Sequence, residues 1–139
     1  MTADLIPYLG FDGQCEAAFT FYAKALKGEV ATLMRYADAP PEVPRMPGAE
    51  SRIMHARLTV GERSLMGGDT PSERFFKPQG FCVAFQIDDP VEAERAFTAL
   101  AEGAQVTMPI GPTFFAQKFG MLTDKFGIPW MVNCPRPSA

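Results

Sequence analysis

The sequence predicts an α+β protein made of two tandem βαβββ modules. Three observations predict it. The stretch FDGQCEAAFTFYAKALKGEV (11–30) rhymes with IDDPVEAERAFTALAEGAQV (87–106): Glu16 falls with Glu92, Ala17 with Ala93, Phe21 with Phe97, Ala23 with Ala99 and Val30 with Val106, each pair 76 positions apart. Each copy has the same order of features, an apolar strand, an Asp, a helix, a glycine and a β-branched run, and such periodic self-similarity marks a repeated structural unit. Two further strand candidates follow each copy.

Taken in order, the first strand ends at Asp12, a residue type that caps a helix or closes a turn. The first helix carries Ala18, Phe21, Tyr22 and Ala25 at three- and four-residue spacing. Gly28 stops it, one residue off the register of its counterpart Gly103. The second strand ends near Arg35 and Tyr36, candidates for binding an anion or for a subunit contact. Residues 37–51 (ADAPPEVPRMPGAES) are too proline-rich for regular structure. Strands at 52–60 and 63–67 are joined by Gly61-Glu62, and 69–79 is a second long loop. Long loops on a compact scaffold serve as lids or interface arms. In the second module the helix presents Ala93, Ala96, Phe97 and Leu100, and strands at 117–123 and 128–133 flank the turn Asp124-Lys-Phe-Gly. The modules cover about 1–70 and 80–135 of a single domain, 1–139.

Composition narrows the function. Of the 139 residues, 47% are hydrophobic and 21% charged, enough to form a core. The net charge of −3 and the absence of a basic stripe argue against nucleic acid or an anionic membrane as partner. No apolar run approaches the ~20 residues that span a bilayer, and MTADLIPYLGF lacks the basic and apolar regions of a signal peptide. Cys15, Cys82 and Cys134 are odd in number and widely spaced, which fits reduced thiols in cytoplasm and no zinc finger. No phosphate-binding glycine loop, nucleophile elbow or HExxH is present.

The motifs PYLGF (7–11), FTFYAKAL (19–26), MHARL (54–58), LMGGD (65–69) and KFGMLTDKFGIPWMVN (118–133) resemble the vicinal oxygen chelate superfamily. That group includes glyoxalase I, extradiol dioxygenases, and fosfomycin and bleomycin resistance proteins. Within it the sequence is similar to the PhnB-like branch, also labelled 3-demethylubiquinone methyltransferase-like. The resemblance implies half-barrel modules forming a cupped sheet around a central cavity, and a homodimer that pairs modules across subunits. It also implies metal ligands on the first and last strands of each module. Those positions fall near Ile6 and Met66, and at Cys82 and Met131. Ile, Met, Cys and Met do not replace the imidazole and carboxylate donors of a hard or borderline cation. Cys82 with two methionines would suit only a soft ion such as Cu(I), and apolar packing is their commoner fate. No metal and no cofactor are therefore expected. No S-adenosylmethionine-type glycine loop follows a parallel strand, so the methyltransferase label gains no support.

Candidate site residues then come from strand alternation. Ala56, Leu58 and Val60 suit the face under a helix, which turns His55, Arg57 and Thr59 toward the cavity. His55, the one histidine, donates, accepts or shuttles a proton there, or is simply a structural imidazole. Asp69, after two glycines, is either its acid–base partner or a ligand anchor, or a turn residue bonding backbone. Ile6, Tyr8, His55, Met66, Asp69, Cys82, Phe114, Phe119 and Met131 form the expected ligand-binding set. Phe115 adds apolar area, and Trp130, opposite in phase to Met131, belongs under the second helix. Cys82 is read as a buried, inert thiol, because no base or helix N-terminus is visible beside it. Three functions compete: a binder of a small, largely apolar molecule; a metal-free enzyme using His55 with Asp69 for isomerisation or proton abstraction; and a metal-dependent lyase or dioxygenase, which the missing donors oppose.

Overall fold

A computed structural model of the chain describes residues 2–44 and 47–137. Residues 45 and 46, inside the loop expected at 37–51, lie outside the described residues. The chain forms two compact units, Met1–Phe76 and Lys77–Ala139.

The first unit runs β1 (Tyr8–Phe11), α1 (Cys15–Leu26), β2 (Glu29–Arg35), β3 (Ile53–Val60) and β4 (Arg63–Asp69). Its sheet has the order β1-β4-β3-β2, with β1 parallel to β4 and the other pairs antiparallel. The second unit repeats this plan with β5 (Val83–Gln86), α2 (Pro90–Leu100), β6 (Gln105–Gly111), β7 (Ala116–Thr123) and β8 (Pro129–Pro135), in the order β5-β8-β7-β6. The tandem βαβββ pattern read from the repeat is therefore present. Short 3-10 turns occupy Tyr36–Asp38 and Ser72–Arg74 in the two long connections of the first unit.

Each helix covers one face of its own sheet. The face of α1 consists of Cys15, Ala18, Phe19, Tyr22, Ala25 and Leu26. Phe19 is buried where the spacing pointed to Phe21, because this helix has small or aromatic residues almost all round and its period alone does not fix the inner face. Helix α2 buries Ala93, Ala96, Phe97 and Leu100, the predicted set. Beneath the helices lie Leu9, Phe11, Ala56 and Leu58 in the first unit, and Leu122, Trp130, Val132 and Cys134 in the second. Burying each Leu, Phe or Val among them contributes about 1.5–3 kcal/mol.

The helix ends depart from the sequence expectation in an instructive way. Asp89 caps α2, accepting from the N–H groups of Val91 and Glu92. Asp12 does not cap α1; it accepts instead from the Ser72 hydroxyl at 2.6 Å and Arg52 at 3.0 Å. At the other end of α1, Lys27 adopts the left-handed conformation (φ 54°). Gly28 is needed for a different reason. A Cβ there would lie 2.6 Å from the Thr59 carbonyl oxygen, so only glycine lets β2 start this close to β3. No helix among the described residues is long and apolar enough to cross a membrane.

Candidate functional site

With one face of each sheet under its helix, the opposite face holds Tyr8, His55 and Met66 in the first unit and Phe119 and Met131 in the second. In the first unit, register places Tyr8 opposite Met66, Met66 opposite Arg57, and Arg57 opposite Thr32. These four residues form one row across all four strands. The Arg57 guanidinium lies along the row, with Nε donating to Ser64 Oγ at 3.2 Å and Nη1 3.9 Å from Met66 Sδ. One step along, Gly10 faces Gly68 and His55 faces Met34.

Gly68 shapes this surface. A Cβ on it would meet the Tyr8 hydroxyl at 2.7 Å. The missing side chain lets the Tyr8 ring lean across β4, where its hydroxyl comes 3.4 Å from the Met54 carbonyl oxygen. The ring also stacks on His55, with centroids 6.1 Å apart and planes within 23°. Burial first, then the nearby Cys15 and Tyr36, push the Tyr8 phenol above its ordinary value. Tyr8 thus offers a neutral hydroxyl beside a half-buried imidazole.

Asp69 stands elsewhere. It alternates with Leu65 and Gly67 on the helix side of β4, and it is buried. One carboxylate oxygen accepts from the Cys15 N–H at 3.1 Å and the other from the Ile53 N–H at 2.8 Å. Asp69 is therefore the long-range cap of α1, and the structure does not assemble a His55–Asp69 pair. Its surroundings also form one wall of a cleft of about 420 Å³ between the loops, lined in part by Tyr36, Arg52, Ser72 and Arg74. Arg52 is already held there by Asp12 and the Thr70 carbonyl.

In the second unit the equivalent row is Ala84, Met131, Met121 and Met108. The next row is Gln86, Asn133, Phe119 and Gly111. Phe115 and Phe119 meet edge to face at 5.1 Å, and Phe114 meets Phe115 at 5.2 Å. Phe114 itself is 92% exposed. Trp130 is buried in the opposite phase to Met131, as alternation requires, and its Nε1 donates to Asp124 Oδ2.

The metal-ligand positions carried from the resemblance can now be placed. Met66 and Met131 occupy corresponding points of the two sheets. Ile6 and Cys82 precede β1 and β5, and Tyr8 and Ala84, two residues on, are the direct partners of the methionines. Neither set fits a divalent ion, and no group of three His, Cys, Asp or Glu suited to a metal occurs among the described residues. A methyl-donor cofactor fits no better. The link from β1 to α1 is Asp12-Gly13-Gln14, too short for a glycine-rich cradle, and the first N–H groups of α1 and α2 already bond Asp69 and Asp89.

Cys82, expected to be buried, is instead the most accessible thiol, half-buried just before β5 where Cys15 and Cys134 are fully buried. Burial, then the charges of Asp69 and Glu16, push Cys15 up to about 12. A thiol raised in this way is protonated at neutral pH. Its contribution to stability is complete below the ordinary thiol value and is lost as pH rises toward 12, because the unfolded chain loses that proton first. Iodoacetamide at pH 8 is expected to label Cys82 and to spare Cys15 and Cys134 until denaturant is added, as read by peptide mass mapping. Equal labelling of all three in the native protein would contradict this burial.

The family model described as 3-demethylubiquinone-9 3-methyltransferase matches residues 3–133. The chain belongs to this family. Among solved structures, the 3-demethylubiquinone-9 3-methyltransferase family member resembles protein PA1353 from Pseudomonas aeruginosa. The two are 41% identical with a TM-score of 0.89, over 98% of this chain and 100% of that one. It also resembles a PhnB protein from Bacillus cereus, described as a putative 3-demethylubiquinone-9 3-methyltransferase, at 27% identity and TM-score 0.79, over 95% and 99% of the two chains. Protein YjdN from Escherichia coli K12 is 29% identical over 93% of each chain. At the level of fold alone, the family member matches the fosfomycin resistance protein FosX from Mesorhizobium loti at 9% identity and TM-score 0.66, over 98% and 94% of the chains. It matches a Frankia glyoxylase/bleomycin resistance protein/dioxygenase domain at 14% and 0.64, over 98% and 99%. The fold is thus the glyoxalase/bleomycin resistance one, as the motifs suggested, and fold likeness assigns no chemistry.

Of the expected ligand-binding set, His55, Tyr8, Met66, Phe119 and Met131 lie on the open faces of the two sheets. Sequence reasoning missed Gly68 as the seat of the Tyr8 ring, and the Gln86–Asn133 pair. The signal for both lay in the parallel pairing of first and last strands, which a single sequence does not display.

Proposed function

We propose that the chain binds a small, largely apolar molecule bearing one anionic or carbonyl group on the open face of its first sheet, without a metal ion. One observation carries this reading. The row Tyr8–Met66–Arg57 sets an apolar floor between a phenol hydroxyl and a guanidinium, with the His55 imidazole alongside. Small-molecule sites have this makeup, mostly apolar with a few convergent polar groups. The substitution of Ile, Met and Cys at the positions where related folds hold ligands points the same way.

The test is titration with 1-anilinonaphthalene-8-sulfonate, an apolar body with one anion. At roughly 0.3 kcal/mol per non-hydrogen atom, its Kd should be on the order of tens of micromolar. Arg57→Ala is expected to weaken it about tenfold, the worth of one charged hydrogen bond. Met66→Glu should weaken it similarly, whereas Lys24→Ala on the exposed side of α1 should leave it unchanged. Unaltered binding in both face variants would remove the proposal.

A second reading, acid–base chemistry at His55, draws on the stacked Tyr8 phenol beside the imidazole. It gains nothing from Asp69, whose carboxylate is engaged on the helix side.

A further inference from the structure

The second unit contains a polar atom that the fold does not use. Asn133 Oδ1 is buried and, among the described residues, receives no hydrogen bond. The same side chain donates its Nδ2 hydrogen to Gln86 Oε1 at 2.9 Å, which fixes the amide beside its parallel neighbour. Burying an amide oxygen without a donor is costly, and native folds rarely leave one. The side chains of Met131 and Phe119 beside it are apolar and supply no donor. The unused acceptor is therefore best explained by something outside the fold.

Its surroundings define what that is. Phe119 stands directly across from Asn133 on β7. Phe115 and Phe114 extend from Phe119 in an edge-to-face series toward solvent, half-exposed and almost wholly exposed respectively. Aromatic edges and faces of this kind favour another flat ring. Met131 and Met121 supply an adaptable apolar floor on the same face.

We propose that the open face of the second unit holds a flat aromatic molecule whose ring hydroxyl or N–H donates to Asn133 Oδ1. Entry requires a neighbouring side chain to change rotamer, a common adjustment at binding surfaces. The site lies wholly on the second unit, so it stands or falls separately from the proposed first-unit site.

The probe pair is 2-naphthol and 2-methoxynaphthalene, which share a ring system and differ in the donor hydrogen. Binding is followed in every variant by NMR shifts of the Phe119 ring, and in the native chain also by the Asn133 side-chain amide, which separate this site from any other. 2-Naphthol is expected to bind about five- to tenfold more tightly than its methyl ether, the worth of one neutral hydrogen bond. Asn133→Leu should bring the two within twofold and raise the melting temperature, because the orphan acceptor is gone. Asn133→Asp, which keeps an acceptor, should retain the preference and guards against a Leu variant that fails to fold. Equal binding of both probes to the native chain would overturn the proposal. So would a preference that survives in Asn133→Leu, or shifts confined to residues of the first unit.

Discussion

Asp124→Ala will be the most damaging single substitution outside the apolar core. Asp124 is buried at the end of β7. One oxygen accepts from the N–H groups of Phe126 at 2.8 Å and Ile128 at 3.0 Å, and the other from Trp130 Nε1 at 2.9 Å. Alanine removes the Asp124 acceptor from both the buried indole N–H and the Ile128 N–H, at about 1–3 kcal/mol for each. A loss of roughly 3–5 kcal/mol follows, a large share of the ~5–15 kcal/mol that holds a typical domain together. Asp124→Asn keeps one carbonyl oxygen, so it serves the backbone pair or the indole but not both, and about half that loss is expected. The chain's one tryptophan is itself the reporter: urea unfolding followed by Trp130 fluorescence measures the change at the site. A Asp124→Ala midpoint equal to the native one would show that the turn has another support.

The second large effect belongs to Asp69. Its two oxygens tie the start of α1 to the start of β3 through the Cys15 and Ile53 N–H groups. Asp69→Ala should cost roughly 2–4 kcal/mol, and Asp69→Asn about 1–2 kcal/mol, because an amide offers a single acceptor. This outcome separates a structural carboxylate from a catalytic one. As a cap, Asp69→Asn lowers the unfolding midpoint and leaves the affinity for 1-anilinonaphthalene-8-sulfonate unchanged in the folded fraction. It also lowers the Cys15 pKa, since the Asp69 charge helps to raise it, although burial holds the thiol above its ordinary value. As the acid–base partner of His55, the variant would instead keep its stability and alter only the pH dependence of turnover. A stable Asp69→Asn with an unmoved Cys15 would sink the capping account.

What could be read in the sequence follows the range of the interaction. The repeat fixed the element order because each module's pattern is local: periods of two and of 3.6, broken by Gly and Asp. Alternation placed His55 and Arg57 on one face and Ala56 and Leu58 on the other, and it set Trp130 against Met131. Phe19 was misplaced in favour of Phe21, because the helix is apolar on too many sides for its period to choose. That Asp69 bonds backbone was one of its two readings, but which backbone was not legible: its partners lie 54 and 16 residues away and not in its own turn. The Gln86–Asn133 contact spans 47 residues, and it exists only because β5 runs parallel to β8. Local chemistry is visible in a sequence; which distant backbone group a carboxylate will satisfy is decided by topology.

The adjacent glycines of β4 have a wider consequence. A Cβ on Gly67 would strike the Phe19 ring at 2.9 Å, and one on Gly68 would strike the Tyr8 hydroxyl at 2.7 Å. The strand is thus at its thinnest where the helix presses from one side and the phenol rests on the other. Only a single bare peptide separates the interior from the outward-facing ring. On the proposed first-unit site, a change of size at Phe19 is expected to reach Tyr8 through that peptide, so drift in the hydrophobic interior would register as a change in ligand preference.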